Sequence, residues 1–297
     1  MVDAFSRIVR LGEGLSRTGE LSIAAQDRAV AALKICAAKL DAKKVSRRRL
    51  IATEACRGAR NGADFLERVK RETGLELEIV NRETEAKLAA NSCAPLLDRD
   101  ATGAILFDIG GGSSELAWLG KANDVDQGPP LAPVEAWDSM PLGVVTLAER
   151  HGGENVTPEI FTAMIDEVLP RVVAFAEKAT EAKSGTLYLL GTSGTVTTLA
   201  GLHLELPRYD RRRVDGIWLK HAEVTNVVAR LCATTYQERI DNPCIGAQRA
   251  DLVLAGCAIL EAIRRIFPCE RLRVADRGLR EGMLVELMRA DQVWAKR

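Results

Sequence analysis

Two rhythms of apolar and polar positions run through this chain. The apolar run Ala104-Ile-Leu-Phe107 ends at Asp108 and Ile109. Gly110, Gly111, Gly112, Ser113, Ser114 and Glu115 follow, and Leu116-Ala-Trp118 closes the stretch. Short apolar runs bounded by glycines predict strand, tight turn, strand. Further strands are predicted at 50–53, 77–80, 134–140, 186–190 and 271–275. Residues 5–19 read as a strand running into a glycine-rich loop. Helical spacing governs other segments. Ser22 caps a predicted helix over 23–40, with Ile23, Ala29, Val30, Leu33 and Leu40 as its apolar members. A helix over 62–73 stops at Gly74, and another opens at Glu83. Thr157-Pro-Glu starts a helix running to about Lys178, in which Pro170 predicts a kink or break. Residues 246–267 predict a largely apolar helix. Gly120 to Pro133 is a surface loop, and the polar, turn-rich stretch Pro95–Thr102 reads as a hinge between domains.

The length of 297 residues accommodates two domains, and an apolar content of 47% supports a substantial core. Basic and acidic residues balance at 41 each, so neither nucleic acid nor membrane is an expected partner, and any polyanion site has to be local. The seven cysteines form no C-x-x-C pair, which predicts reduced thiols in a cytoplasm. The start lacks the apolar segment of a signal peptide, and no apolar run approaches the roughly 20 residues that span a bilayer. Two basic runs, Lys43 to Arg49 and Arg211 to Arg213, either face solvent or line a polyanion path.

Candidate chemistry gathers at three places. In the hairpin, glycines that accept positive φ and close approach let backbone amides converge on an anion. Asp108 at the strand end is placed to hold a metal, while Ser113, Ser114 and Glu115 add donors and a second acid. A plain glycine-rich hairpin is the alternative reading. Arg57, after the strand at 50–53, suits a phosphate through its forked donors, or else forms a surface ion pair. The turn Gly191-Thr192-Ser193-Gly194-Thr195 precedes a helix, and free amides there form an anion site. No GK[ST] follows the glycines near residue 14, so that loop is not a P-loop.

The segment Asp108 to Glu115 resembles the second phosphate motif of the exopolyphosphatase and guanosine pentaphosphate phosphatase (Ppx/GppA) family, part of the sugar kinase, actin and heat-shock-chaperone ATPase superfamily. Other stretches are similar to that family's patterns. They are Ile51 to Leu66 with Arg57 and Asn61, Glu83-Thr-Glu85-Ala-Lys-Leu, and Pro141-Leu-Gly143. Gly191 to Thr195, Arg249-Ala-Asp251 and Arg277-Gly-Leu-Arg-Glu-Gly complete the set. The resemblance implies an α/β fold of two ribonuclease-H-like domains flanking a cleft. Residues 1–100 would form the first, completed by a C-terminal helix over 278–297, and residues 101–277 the second. No stretch resembles the family's first phosphate loop, which implies a first domain truncated at its N-terminus. The implied activity is Mg²⁺-dependent hydrolysis of terminal phosphate from inorganic polyphosphate or guanosine pentaphosphate, by a protein whose relatives are commonly dimers. Glu85, which stands 23 residues before Asp108, would be the base; Asp108 and Glu115 would hold the metal. Arg57, Gly110, Gly111, Gly112, Ser113 and Ser114 would bind phosphate, with Gly191, Thr192, Ser193, Gly194 and Thr195 further along the substrate. A non-catalytic polyphosphate or alarmone binder and an ATP-dependent phosphotransferase are the alternatives.

Overall fold

The computed structural model describes residues 3–125, 128–179 and 186–294. Its contacts divide the chain into two units, Met1–Arg82 and Glu83–Arg297.

The smaller unit contains α1 (Leu15–Thr18), α2 (Ile23–Ala42), β1 (Ile51–Ala52), α3 (Glu54–Gly58), α4 (Gly62–Thr73) and β2 (Glu78–Ile79). Ser22 caps α2 by accepting from the Ala25 amide, and α4 ends at a left-handed Gly74, as the local sequence signals require. Apolar faces of α2 and α4 close over Leu21, Val30, Phe65, Val69 and Leu75. β1 and β2 pair in parallel, Ile51 opposite Glu78. The strand expected at the start of residues 5–19 does not form. There Arg28 donates to the carbonyls of Val9 and Arg10, doing what a neighbouring strand would otherwise do. Left-handed Gly14 and Gly19 then bracket the single turn of α1.

The larger unit begins with α5 (Arg82–Cys93, its first residue belonging to the smaller unit), then β3 (Gly103–Ile109), β4 (Ser114–Leu119), β5 (Val134–Met140), α6 (Val144–His151) and α7 (Pro158–Lys178). It continues with β6 (Leu187–Thr192), α8 (Gly194–His203), α9 (Arg211–Val214), β7 (Trp218–Lys220), α10 (His221–Cys232) and α11 (Tyr236–Asp241). α12 (Val253–Ile266), β8 (Arg271–Ala275) and α13 (Leu279–Ala290) complete it. One six-stranded sheet has the order β5-β4-β3-β6-β8-β7. β3, β4 and β5 form an antiparallel meander, β6 and β8 add in parallel to β3, and β7 closes the edge antiparallel to β8. A meander extended by two parallel strands is the ribonuclease-H-like plan.

Strand periodicity divides the core. Ile105, Phe107 and Ile109 enter the layer built with α7, α8 and α12, whereas Ala104 and Leu106 meet Ala89, Ala90 and Cys93 of α5. α7 is a single helix with Pro170 inside it, so of the expected kink or break the break is absent. α12 starts at Val253 instead of residue 246, because left-handed Gly246 and the turns after it precede the helix. Residues 95–102, read above as a hinge, lie within the larger unit. Tyr188 takes the Asp98 amide at 3.0 Å, and Arg271 pairs with the Asp98 carboxylate. α13 likewise belongs to the larger unit, where Gly282 lies so close to the Leu88 carbonyl of α5 that a Cβ would overlap it. Among the described residues no helix is long and apolar enough to cross a membrane.

Candidate active site

Register assembles the site. Across the sheet, Ser139 of β5 lies opposite Glu115 of β4, Glu115 opposite Asp108 of β3, Asp108 opposite Thr192 of β6, and Thr192 opposite Ala275 of β8. This row lies at the carboxyl ends of the three parallel strands, where open α/β sheets bind ligands. Period-two alternation puts Asp108 on the face of Ala104 and Leu106, the face covered by α5. On α5, Glu85, Ala89 and Cys93 are spaced by four and share one side. The helix that packs on the sheet therefore brings Glu85, itself 5% exposed, to the two strand acids.

The acids repel one another in a dry setting. Burial, and then the charge of Glu85, push Asp108 up to about 6. Burial and the charges of Asp108 and Glu85 push Glu115 up to about 7, against hydrogen bonds that favour its charged form. Those bonds come from the hydroxyls of Ser113 at 2.7 Å and Ser139 at 2.9 Å, both donating to Oε1. Oε2 of Glu115 has no hydrogen bond recorded among the described residues.

The loop between the strands is held by its carbonyls. Gly110 N–H donates to Ser113 O at 2.9 Å. Val144 N–H donates to Gly110 O, and Val145 N–H to Gly111 O, each at 2.9 Å. The first turn of α6 thus uses its otherwise unmatched amides to fix the loop. No partner is recorded among the described residues for the amides of Gly111, Gly112 and Ser113. None of the three glycines has positive φ, contrary to one reason given for them above. Close approach explains Gly110, where a Cβ would stand 2.8 Å from Ser113 O, while Gly112 has open space. Gly143 is the stricter requirement, since a Cβ there would collide with the carbonyls of Gly110 and Gly111.

The second turn departs in detail from its sequence reading. Thr192 donates its hydroxyl to the Arg277 carbonyl, and the Thr195 hydroxyl lies against Gly256 of α12. Gly191 packs between Phe107 and Val196. Ser193 adopts φ 90°, and its buried Oγ has no hydrogen-bond partner among the described residues. Ser114, proposed above as a phosphate ligand, gives its hydroxyl to Leu142 O at 2.9 Å. Arg57 belongs to the smaller unit, where Glu54 and the Val80 carbonyl hold its guanidinium.

The sequence model of the Ppx/GppA phosphatase family matches residues 1–291. The chain belongs to the Ppx/GppA phosphatase family. It is 26% identical to exopolyphosphatase 1 of Mycobacterium tuberculosis over 278 residues, covering 93% of this chain and 77% of that protein. It is 28% identical to the guanosine-5'-triphosphate,3'-diphosphate pyrophosphatase of Photobacterium profundum over 283 residues, covering 95% of this chain and 53% of that longer protein. The crystal structure of the Aquifex aeolicus Ppx/GppA family member superimposes with a TM-score of 0.76 at 30% identity, covering 96% of this chain and 88% of the other.

The family's remaining motifs acquire physical roles here. In Arg277 to Gly282, Glu281 accepts the Gly278 amide and pairs with Arg211 and Arg280, and Gly282 allows α13 to press on the helix that carries Glu85. Arg249 is the candidate residue that sequence reasoning passed over. Its guanidinium covers Gly194 at the start of α8, with Nη1 3.0 Å from where a Cβ would be. Arg211 and Arg277 are paired with carboxylates, whereas no ion pair is recorded for Arg249 among the described residues. Its place in Arg249-Ala-Asp251, next to Gly246, was the available signal.

Proposed function

We propose that this chain hydrolyses the terminal phosphoanhydride of inorganic polyphosphate or of guanosine pentaphosphate. The observation that carries the reading is the meeting of Glu85, Asp108 and Glu115 beside a loop whose Gly111, Gly112 and Ser113 amides have no partner among the described residues. Positioning and charge neutralisation dominate phosphoryl transfer, and the arrangement is suited to both.

The donor set fits Mg²⁺. Asp108 and Glu115 offer hard carboxylate oxygens, their protons are held by repulsion and burial, and no cation appears among the groups that shift them. No group of three or more His, Cys, Asp or Glu suited to a metal is found among the described residues. Mg²⁺ is usually held by one or two carboxylates together with substrate phosphate oxygens and water, so a two-carboxylate site agrees with its habit. When bound, Mg²⁺ would neutralise charge on the phosphate oxygens.

Glu85 orients a water and takes its proton while the water oxygen attacks the terminal phosphorus. The phosphorus–oxygen bond to the bridging oxygen breaks, and that oxygen leaves with the shortened chain. The amides of Gly111, Gly112 and Ser113 hold the equatorial oxygens of the transferring group. Gly194 and Arg249 take a phosphate further along.

The test is phosphate release from long-chain polyphosphate and from guanosine pentaphosphate, with and without Mg²⁺, for the protein and its Glu85→Gln variant. Mg²⁺-dependent release that the variant loses supports the reading. Binding of either compound without turnover would identify a polyanion-binding protein instead.

A further inference from the structure

Arg239 is 2% exposed, and no carboxylate pairs with it among the described residues. Four backbone carbonyls replace an anion. Nε donates to Ala250 O at 2.9 Å and Nη1 to Thr234 O at 2.9 Å. Nη2 donates to Gly153 O at 3.2 Å and to Glu154 O. A buried cation without a counter-ion is costly, and the fold retains this one by converging carbonyl dipoles from three segments.

Two of those segments lead to the two ends of the candidate site. Ala250 follows Arg249, the guanidinium over Gly194. Gly153 and Glu154 follow α6, whose first amides hold the carbonyls of Gly110 and Gly111. The segments also touch directly, because a Cβ on Gly153 would overlap the Asp251 carbonyl. An eight-residue helix is a rod roughly 12 Å long, so its exit moves with its entry.

We propose that Arg239 is a positioning residue for substrate binding, tying the Arg249 turn to the α6 exit and so fixing the distance between the Arg249 grip and the Gly110–Gly112 loop. The inference rests on the reading above that phosphates occupy both places. Loss of the tie loosens Arg249 without touching Glu85, Asp108 or Glu115. Binding of a substrate long enough to reach Arg249 weakens, and the chemical step is preserved.

The experiment is a double-mutant cycle. KM and kcat for long-chain polyphosphate are measured for the unmodified protein, Arg239→Lys, Arg249→Gln and the double variant. The expected result is a KM about 10-fold higher for Arg239→Lys with kcat nearly unchanged, and a double variant no worse than Arg249→Gln, since coupled residues do not add. An unchanged KM in folded Arg239→Lys overturns the proposal, as does a double variant whose KM rise is the product of the two single rises. Hydrogen exchange of the Leu252 and Val253 amides, both bonded to Arg249 O, supplies a readout independent of activity. Faster exchange confined to this turn supports the tie, whereas uniform acceleration through the unit marks general destabilisation and rejects it. An unmodified protein that neither hydrolyses nor binds polyphosphate removes the functional reading, and the exchange comparison still decides whether Arg239 holds the turn.

Discussion

β3 and β6 are adjacent parallel strands, with Asp108 opposite Thr192, and each ends in a glycine turn. The turns have opposite characters. The first runs from Gly110 into an antiparallel strand; it brings two acids face to face, and its carbonyls are capped by α6. The second runs from Gly191 into α8. Its threonine hydroxyls are consumed by the Arg277 carbonyl and by packing on Gly256, and an arginine covers its glycine. Under the proposed function, the first turn places charge around the reacting group and the second holds an anion at a distance from it. Two glycine turns on neighbouring strands thus differ in what each does with its carbonyls and hydroxyls.

The sharpest way to break the comparison is to remove the acids from the first turn's setting. Glu85→Gln should lower kcat by roughly 10²–10⁴-fold, the usual scale for a general base, while KM changes little. A raised KM with kcat unchanged would mean that Glu85 binds substrate instead of activating water.

Asp108→Asn should eliminate activity and yet stabilise the protein without metal. Asp108 at about 6 against an ordinary 3.8, and Glu115 at about 7 against 4.5, hold protons in the folded state that the unfolded chain has released. Stability therefore falls as pH rises from about 4 to about 7, and the whole loss is present above that window. At pH 8 in metal-free buffer the Asp108→Asn protein should melt a few degrees higher, worth on the order of 1–3 kcal/mol. Added Mg²⁺ should raise the melting temperature of the unmodified protein more than that of the variant. A melting temperature indifferent to the substitution and to Mg²⁺ would remove the repulsion argument.

The second turn should respond in binding. Arg249→Gln is expected to raise KM for polyphosphate about 10-fold, the scale of one charge-assisted contact, with kcat within a few-fold. The paired Arg211, substituted in the same way, should reduce stability more than it raises KM, because Glu281 and Asp276 already hold it.

The smallest effects separate necessary from incidental glycines. Gly143→Ala should disable the protein, since its Cβ has only the Gly110 and Gly111 carbonyls to enter, whereas Gly112→Ala should change stability by about 0.5 kcal/mol or less. A Gly112→Ala variant with abolished binding would show that phosphate comes within a methyl's reach of that residue.

Much of this was legible along the chain because it is local. The apolar run ending at Asp108, the three glycines and Glu115 define a hairpin, and a hairpin's register sets the two acids opposite each other without help from elsewhere. Ser22 and Gly74 bound their helices by capping alone. Family motifs named Glu85, and the α5 spacing of Glu85, Ala89 and Cys93 already marks a shared face. α6 was missed because its first turn has no side-chain cap; the carbonyls of Gly110 and Gly111, more than thirty residues earlier in sequence, serve instead.

What the amino-acid sequence determined by itself is the hairpin of β3 and β4, the capped ends of α2 and α4, the pairing of Asp108 with Glu115, and the family to which the chain belongs. Only the tertiary structure decided which polar groups remain available for a ligand. Ser114, Thr192 and Arg211 look as eligible as the Ser113 amide, Gly194 and Arg249 when read in order, but partners 28, 85 and 70 residues away engage the first three. Hydrogen bonds and ion pairs form with whatever the fold brings within about 3 Å, and separation along the chain does not encode that distance.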